Sequence, residues 1–142
     1  MANHLATEFE TSPGIPARLD NRLVNAVTRR SRATKPPVAL EPGDRLFLGR
    51  LPRGAAIVAL SANSDTALPK VHLSIGTDTE PDRFAAAREV KVTDTPVALG
   101  PRGAAHAATP LGAEEELWLT VTGAAVPAEA VLVIDTEFAL SA

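Results

Sequence analysis

The sequence predicts an all-β protein: an antiparallel β-sandwich or jelly-roll-like body with an extended N-terminal arm. Three observations predict it. Apolar and polar residues alternate over short runs, most clearly in EELWLTVT (115–122) and AVLVIDTEF (130–138). The 12 prolines and 9 glycines are spread along the chain and punctuate those runs. Beyond residue 37, helix-forming residues never gather into more than a turn or two.

Residues 1–37 read differently from the rest. Pro13, Gly14 and Pro16 interrupt regular structure early. Arg18 to Arg32 has helical spacing at Leu19, Leu23 and Ala26 or Val27, so a short helix is expected there. Arg29, Arg30 and Arg32 would then sit near its C-terminal end, where the helix dipole favours cations. Pro36 and Pro37 close the segment. The expected division is an arm over 1–37 and a β-sandwich body over 38–142.

From Val38 the pattern becomes strand and turn. Glu41 to Asp44 (EPGD) is a turn signal, followed by a strand over Arg45 to Leu51. Leu51 to Gly54 turns again, and the apolar run Ala55 to Leu60 suits a strand buried on both faces. Ser61 to Pro69 reads as loop. Val71, Leu73 and Ile75 alternate with His72 and Ser74 as a half-buried strand. Gly76 to Asp82 is loop, and the alanines of Arg83 to Arg88 predict a helical turn. Glu89 to Thr93 and Thr95 to Leu99 are expected as short strands, and Gly100 to Gly112 as loop. The two long alternating runs, joined across Gly123 to Glu129, read as an antiparallel hairpin, with Asp135 and Glu137 facing water or a partner.

Composition narrows the function. The 142 residues fit one domain whose core must be aliphatic, since there are 4 Phe, 1 Trp and no Tyr. So few aromatics argue against a sugar- or base-stacking site. With no Cys, disulfides, thiolate metal sites and cysteine nucleophiles are excluded. No apolar run approaches the ~20 residues of a membrane-spanning helix. Met1 to Glu10 lacks the pattern of a secretory signal, so synthesis in the cytoplasm is expected. Residues 1–37 carry six basic and three acidic residues, a net of +3, while the remainder carries eight basic and fourteen acidic, a net of −6. A basic arm on an acidic body suits docking on something acidic, or a solvated tail.

No catalytic constellation is present. His4, His72 and His106 have no metal-ligand spacing. Glu114, Glu115 and Glu116 read as a solvated turn, or as charge that deters edge pairing. Asp78, Glu80 and Asp82 alternate as in part of a calcium loop but lack its Gly and later Glu, which leaves weak calcium binding open. The serines have no nucleophile-elbow context, and no phosphate loop occurs. Arg29, Arg30 and Arg32 could touch phosphates, but without aromatics or a recognition fold nucleic acid is not the expected partner. Trp118 reads as core or subunit contact rather than a ligand platform. No catalytic residue, metal site or cofactor is assigned.

Five stretches carry a family resemblance: FETSPGIPARLDNRLVNAVTRRSRAT (9–34), GDRLFLGRLPRGAAIVALSANSD (43–65), HLSIGTDTEPDRFAAA (72–87), TPVALG (95–100) and LGAEEELWLTVTGAAVPAEAVLVIDTEF (111–138). Together they resemble small virion proteins of tailed phages and prophages. Pro127-Ala128-Glu129-Ala130 departs from the small or Gly-containing turn expected there. The resemblance implies a β-rich capsid decoration, or cement, protein at the capsid surface, made in the host cytoplasm. Its partners would be the major capsid protein and further copies of itself, a trimer being favoured on a shell with local three-fold positions. The arm would supply the contacts: Phe9, Ile15, Leu19, Leu23 and Val27 as apolar anchors, Arg18, Arg22, Arg29, Arg30 and Arg32 as charge partners, with Trp118 as a candidate subunit contact. The alternatives are a neck, tail or head-fibre component, and a ligand-binding β-sandwich module.

Overall fold

A computed structural model describes residues 10–12, 15–16, 28–103 and 110–140. Its strands are β1 (Glu10–Ser12), β2 (Ile15–Pro16), β3 (Thr28–Thr34), β4 (Arg45–Leu51), β5 (Ala56–Ser64), β6 (Leu68–Gly76), β7 (Ala85–Val90), β8 (Val97–Gly100), β9 (Glu115–Thr122) and β10 (Leu132–Ala139). β1 and β2 pair with each other. The other eight form two four-stranded antiparallel sheets, ordered β3-β10-β5-β8 and β4-β9-β6-β7. Except between β6 and β7, each successive strand lies in the opposite sheet. That order, with the chain wrapping two facing sheets, is the jelly roll.

Period-two alternation decides which side chains meet between the sheets. Leu117, Leu119 and Val121 of β9 face Leu60 and Ala62 of β5 and Leu132 and Ile134 of β10 across an aliphatic core, joined by Val71, Leu73 and Ile75 of β6. Phe84 is the one aromatic among the buried core residues described. The connections contribute too: Leu40 and Val126 are buried and exchange backbone hydrogen bonds of 3.0 and 2.8 Å, tying the β3–β4 connection to the β9–β10 connection.

Several sequence expectations are met. β4 and β9 span the residues expected of them, and the β6 alternation places Val71, Leu73 and Ile75 inside. The turn at Glu41 closes with Asp44 N–H donating to Glu41 O at 2.9 Å.

Others are corrected. The run 130–138 does not form a hairpin with 115–122, because β9 and β10 belong to different sheets and their connection crosses the sandwich. β5 continues through Ser64 where a loop was expected from Ser61; Ala62 and Ser64 face inward and Ser61 and Asn63 outward. Arg83 to Arg88 is not a helical turn. Its C-terminal part is β7, because pairing with β6 overrides the helix propensity of its alanines.

The arm boundary also moves. The expected helix over Arg18–Arg32 does not reach 28–32, which are strand, and β3 pairs with β10 from Thr28↔Ala139 to Thr34↔Val133. The sandwich therefore begins about a strand's length before the expected boundary between 37 and 38. Residues 1–9, 13–14 and 17–27 of the expected arm lie outside the described residues.

Candidate functional site

β3 places its arginines by the same period-two rule. Ser31 and Ala33 turn toward the sandwich, so Arg30, Arg32 and Thr34 fall on the sheet's outer face. On that face Arg30 stands opposite Glu137 and Arg32 opposite Asp135 of β10. Arg32 is bidentate: Nε donates to Asp135 Oδ1 at 2.8 Å and Nη2 to Oδ2 at 2.9 Å. These hydrogen bonds hold the Asp135 carboxyl below the usual carboxylate range, aided by the charges of Arg32 and Arg30 and opposed by partial burial. Part of the basic charge expected to seek an acidic partner elsewhere thus has one in the same sheet.

The pH consequence follows from the direction of that shift. A carboxylate with a depressed folded-state pKa contributes stability that is present above its unfolded value and lost as pH falls through the folded one. We therefore expect the stability difference between the wild type and Asp135→Asn to be constant from pH 6 to 8 and to shrink below about pH 4. Denaturant midpoints at pH 7 and pH 3 check this, and a difference unchanged between them would show that the ion pair contributes nothing. Asp65, which accepts from the Val131 N–H at 2.9 Å, is lowered as well and adds to the acid sensitivity of both chains alike.

The second feature is on the outer face of the other sheet. Trp118 of β9 stands opposite Phe47 of β4 and Gly76 of β6. The Phe47 and Trp118 rings are 5.1 Å apart and inclined at 59°, and the Arg45 guanidinium lies 4.5 Å from the Trp118 ring. Arg45 also forms an ion pair with Asp78. The Thr77–Arg83 connection passes directly over Gly76, where a side chain would collide with its backbone. Trp118 is therefore flanked by Arg45, Phe47 and this connection, and its Nε1 is enclosed with no hydrogen-bond partner among the described residues. Phe47 remains 44% exposed.

The remaining candidates from the sequence are dispersed. Phe9, Arg18, Leu19, Arg22, Leu23 and Val27 lie outside the described residues, and Ile15 is in β2. Arg29, Arg30 and Arg32 are on β3, well removed in the fold from Trp118 on the opposite sheet. His4 and His106 are also outside the described residues; His72 Nε2 lies 3.4 Å from Glu89 Oε1 on the outer face of β6. The glutamate triplet meets arginines: Glu116 at 3.0 Å and Glu114 at 3.9 Å from Arg50, Glu115 at 3.3 Å from Arg83. β9 is an interior strand, so the triplet does not guard a sheet edge. Asp78 and Asp82 face Arg45 and Arg102. Among the described residues, no group of three or more His, Asp or Glu could hold a metal ion, and no helix is long and apolar enough to cross a membrane. A groove of about 260 Å³ at the β7–β8 seam is lined by Arg88, Ala98, Pro101 and Arg102 among others, and among the described residues no carboxylate or hydroxyl side chain lines it.

Sequence reasoning missed the Arg32–Asp135 pair. Its signal was present as Arg-x-Arg in one alternating run and Asp-x-Glu in another. It also missed Lys35, whose partners are main-chain oxygens and leave no side-chain signature.

The strand order defines the protein as an eight-stranded jelly-roll sandwich. Solved structures share that fold over most of the chain. In the capsid of Ralstonia phage GP4, a chain aligns with a TM-score of 0.61 at 16% identity, covering 82% of this chain and 85% of that one. In the cyanophage Pam1 capsid asymmetric unit the TM-score is 0.58 at 18% identity, with 99% of both chains covered. In the acidic stable capsid of Helicobacter pylori bacteriophage KHP30 it is 0.59 at 14% identity, covering 82% and 90%. At these identities the likeness establishes the fold. No family model and no curated protein matches the sequence.

Proposed function

We propose that this protein is a structural component of a phage head: a decoration, or cement, protein that binds the outside of the shell and stabilises it. The observation that carries the reading is the fold shared over most of the chain with chains of three phage capsid structures. Its partners are the major capsid protein and other copies of itself, with a trimer the favoured state. The role is structural rather than enzymatic. The exposed Phe47 beside Trp118 offers apolar surface for a subunit or shell contact, and residues 1–27 provide the reach to a neighbour.

Copy number tests the role. Quantitative mass spectrometry of purified particles is expected to give this chain at a simple ratio to the major capsid protein. A handful of copies per particle would move it to the neck, tail or a head fibre, and absence from particles would overturn the virion reading.

Deleting residues 1–27 is expected to abolish head binding in a pelleting assay while leaving the sandwich folded. The cut must stop there, since Thr28, Arg29 and Arg30 pair with β10. A truncated chain that pellets with heads as well as the full chain would remove the arm from the model.

A further inference from the structure

Sheet edges invite pairing with other strands, and proteins blunt them with bulges, prolines or charge. Three of the four edge strands here are interrupted. β4 is shifted in register between Phe47 and Gly49, β7 is shifted twice against β6, and β8 is shifted against β5. β3 is different. It pairs with β10 through seven consecutive partners without a shift and contains neither proline nor glycine. Among the described residues no strand lies on its other side. Among the described residues, the main-chain donors and acceptors on that side of β3 are left to receive a strand.

What guards this edge is charge, and the charge is selective. Two β3 strands side by side would bring Arg29, Arg30 and Arg32 of each copy into one ladder, and like charges facing across strands destabilise. An acidic strand would be accepted. The chain contains one of matching period: Glu8-Phe9-Glu10, running into β1. Acid, apolar, acid at two-residue spacing complements the base, small, base of Arg30-Ser31-Arg32. In an antiparallel ladder Glu10 and Glu8 would face Arg30 and Arg32 on the sheet's outer face. Phe9 would then fall on the inner side, beside Ser31 and Ala33, where β3 meets β4 and Ser31 Oγ approaches Gly49. In the single chain, β1 pairs with β2 and not with β3.

We propose that copies of this chain associate by strand addition, with the Glu8–Ser12 segment of one copy pairing with β3 of the next. The contact is heterologous, joining one patch to a different one, so it propagates around a ring and closes at a number set by the rotation per step. It deepens the homo-oligomer part of the proposed function and is independent of binding to heads.

The absence of cysteine from the chain provides a clean test. Glu10→Cys is made in one full-length chain and Arg30→Cys in a second, longer-tagged chain, and the two are mixed and mildly oxidised. Facing positions in a ladder lie within disulfide reach. A disulfide-linked heterodimer on a non-reducing gel is expected, absent when Lys91→Cys, on the β7–β8 connection, replaces Arg30→Cys. Sedimentation of Glu8→Arg/Glu10→Arg is expected to show a loss of oligomer, recovered in part by adding Arg30→Glu. A third chain carrying both Glu10→Cys and Arg30→Cys is oxidised alongside, and a bridge formed only within that chain, with no heterodimer in the mixture, would place the segment on its own β3 and overturn the proposal. So would an Arg30→Cys homodimer in place of the heterodimer, or no bridge at all. Copy number on heads is a separate reading: a chain abundant on heads that fails to cross-link sinks strand addition and leaves the decoration role standing.

Discussion

Gly76→Ala is expected to destabilise the protein by about 1–3 kcal/mol, the usual range for overpacking, and to uncover Trp118. A Cβ at this position would sit 2.0 Å from the Glu80 carbonyl oxygen and 2.5 and 2.6 Å from the Pro81 carbonyl carbon and oxygen. These are backbone atoms, so no side-chain rotation relieves the overlap. The Glu80 carbonyl also accepts hydrogen bonds from the Thr77 N–H at 2.9 Å and the Arg83 N–H at 3.1 Å. Moving it to admit a methyl group therefore strains the whole Thr77–Arg83 connection. That connection carries Asp78, the ion-pair partner that holds Arg45 beside Trp118. Because Trp118 is the only tryptophan, its emission reports the site directly. The expected result is a lower denaturation midpoint together with a red-shifted native emission. Gly112→Ala, where a Cβ meets nothing within 4 Å among the described residues, is the control, expected to stay within about 0.5 kcal/mol of wild type. If Gly76→Ala matched that control in both readouts, the connection would not be pressed against the sheet.

Periodicity made much of this fold legible, and its limits are physical. Alternation tells which residues share a face, so Leu117, Leu119 and Val121 could be placed inside from sequence alone. It does not tell which strand lies alongside. The runs 115–122 and 130–138 look like hairpin arms, but the segment between them buries Val126 and Ala130 and bonds to Leu40. A connection that contributes to the core crosses the sandwich instead of turning back. Propensity failed where tertiary contacts outweighed it. Ala85 reads as helix-forming, yet it is fully buried where a Cβ on Gly100 would come within 3.2 Å of its own. Burial beside the neighbouring strand, rather than intrinsic preference, decides its conformation there.

The arginines of 29–32 show the same limit for the site. Their charge suggested an external partner and their spacing was assigned to a helix. Read with period two, Arg30 and Arg32 match Glu137 and Asp135 across a ladder. The match joins the start of the sandwich to its end, 103 positions apart for Arg32 and Asp135: the local patterns give the charge spacing, but not that these two strands lie side by side. The shared ladder also fixes Thr28 firmly, because it begins a run of seven residues paired with β10.

Lys35→Met is expected to cost about 2–3 kcal/mol, from the loss of charge-assisted hydrogen bonds and the stranding of their acceptors. Lys35 is 5% exposed, which is rare for lysine unless its charge is well satisfied. Its three ammonium hydrogens match three main-chain acceptors: Pro36 O at 2.9 Å, Val38 O at 2.9 Å and Ala128 O at 3.2 Å. Its own N–H donates to Leu132 O at 2.8 Å, extending the β3–β10 ladder by one bond. One side chain therefore clasps the exit of β3 to the entrance of β10, where two connections cross between the sheets. Methionine keeps the length and packing of the stem and removes only the donors, so the loss measures the clasp itself. Lys35→Arg is not expected to restore it, because a planar guanidinium cannot direct three donors at acceptors grouped around one nitrogen. For a chain of this length a loss of that size lowers Tm by roughly 6–10 °C. Urea denaturation with an unchanged m-value would confirm that the native state, rather than the unfolded one, has been altered. A methionine variant as stable as the wild type would mean that the cost of burying the ammonium cancels its three bonds, and that the crossing is held by Leu40 and Val126 alone.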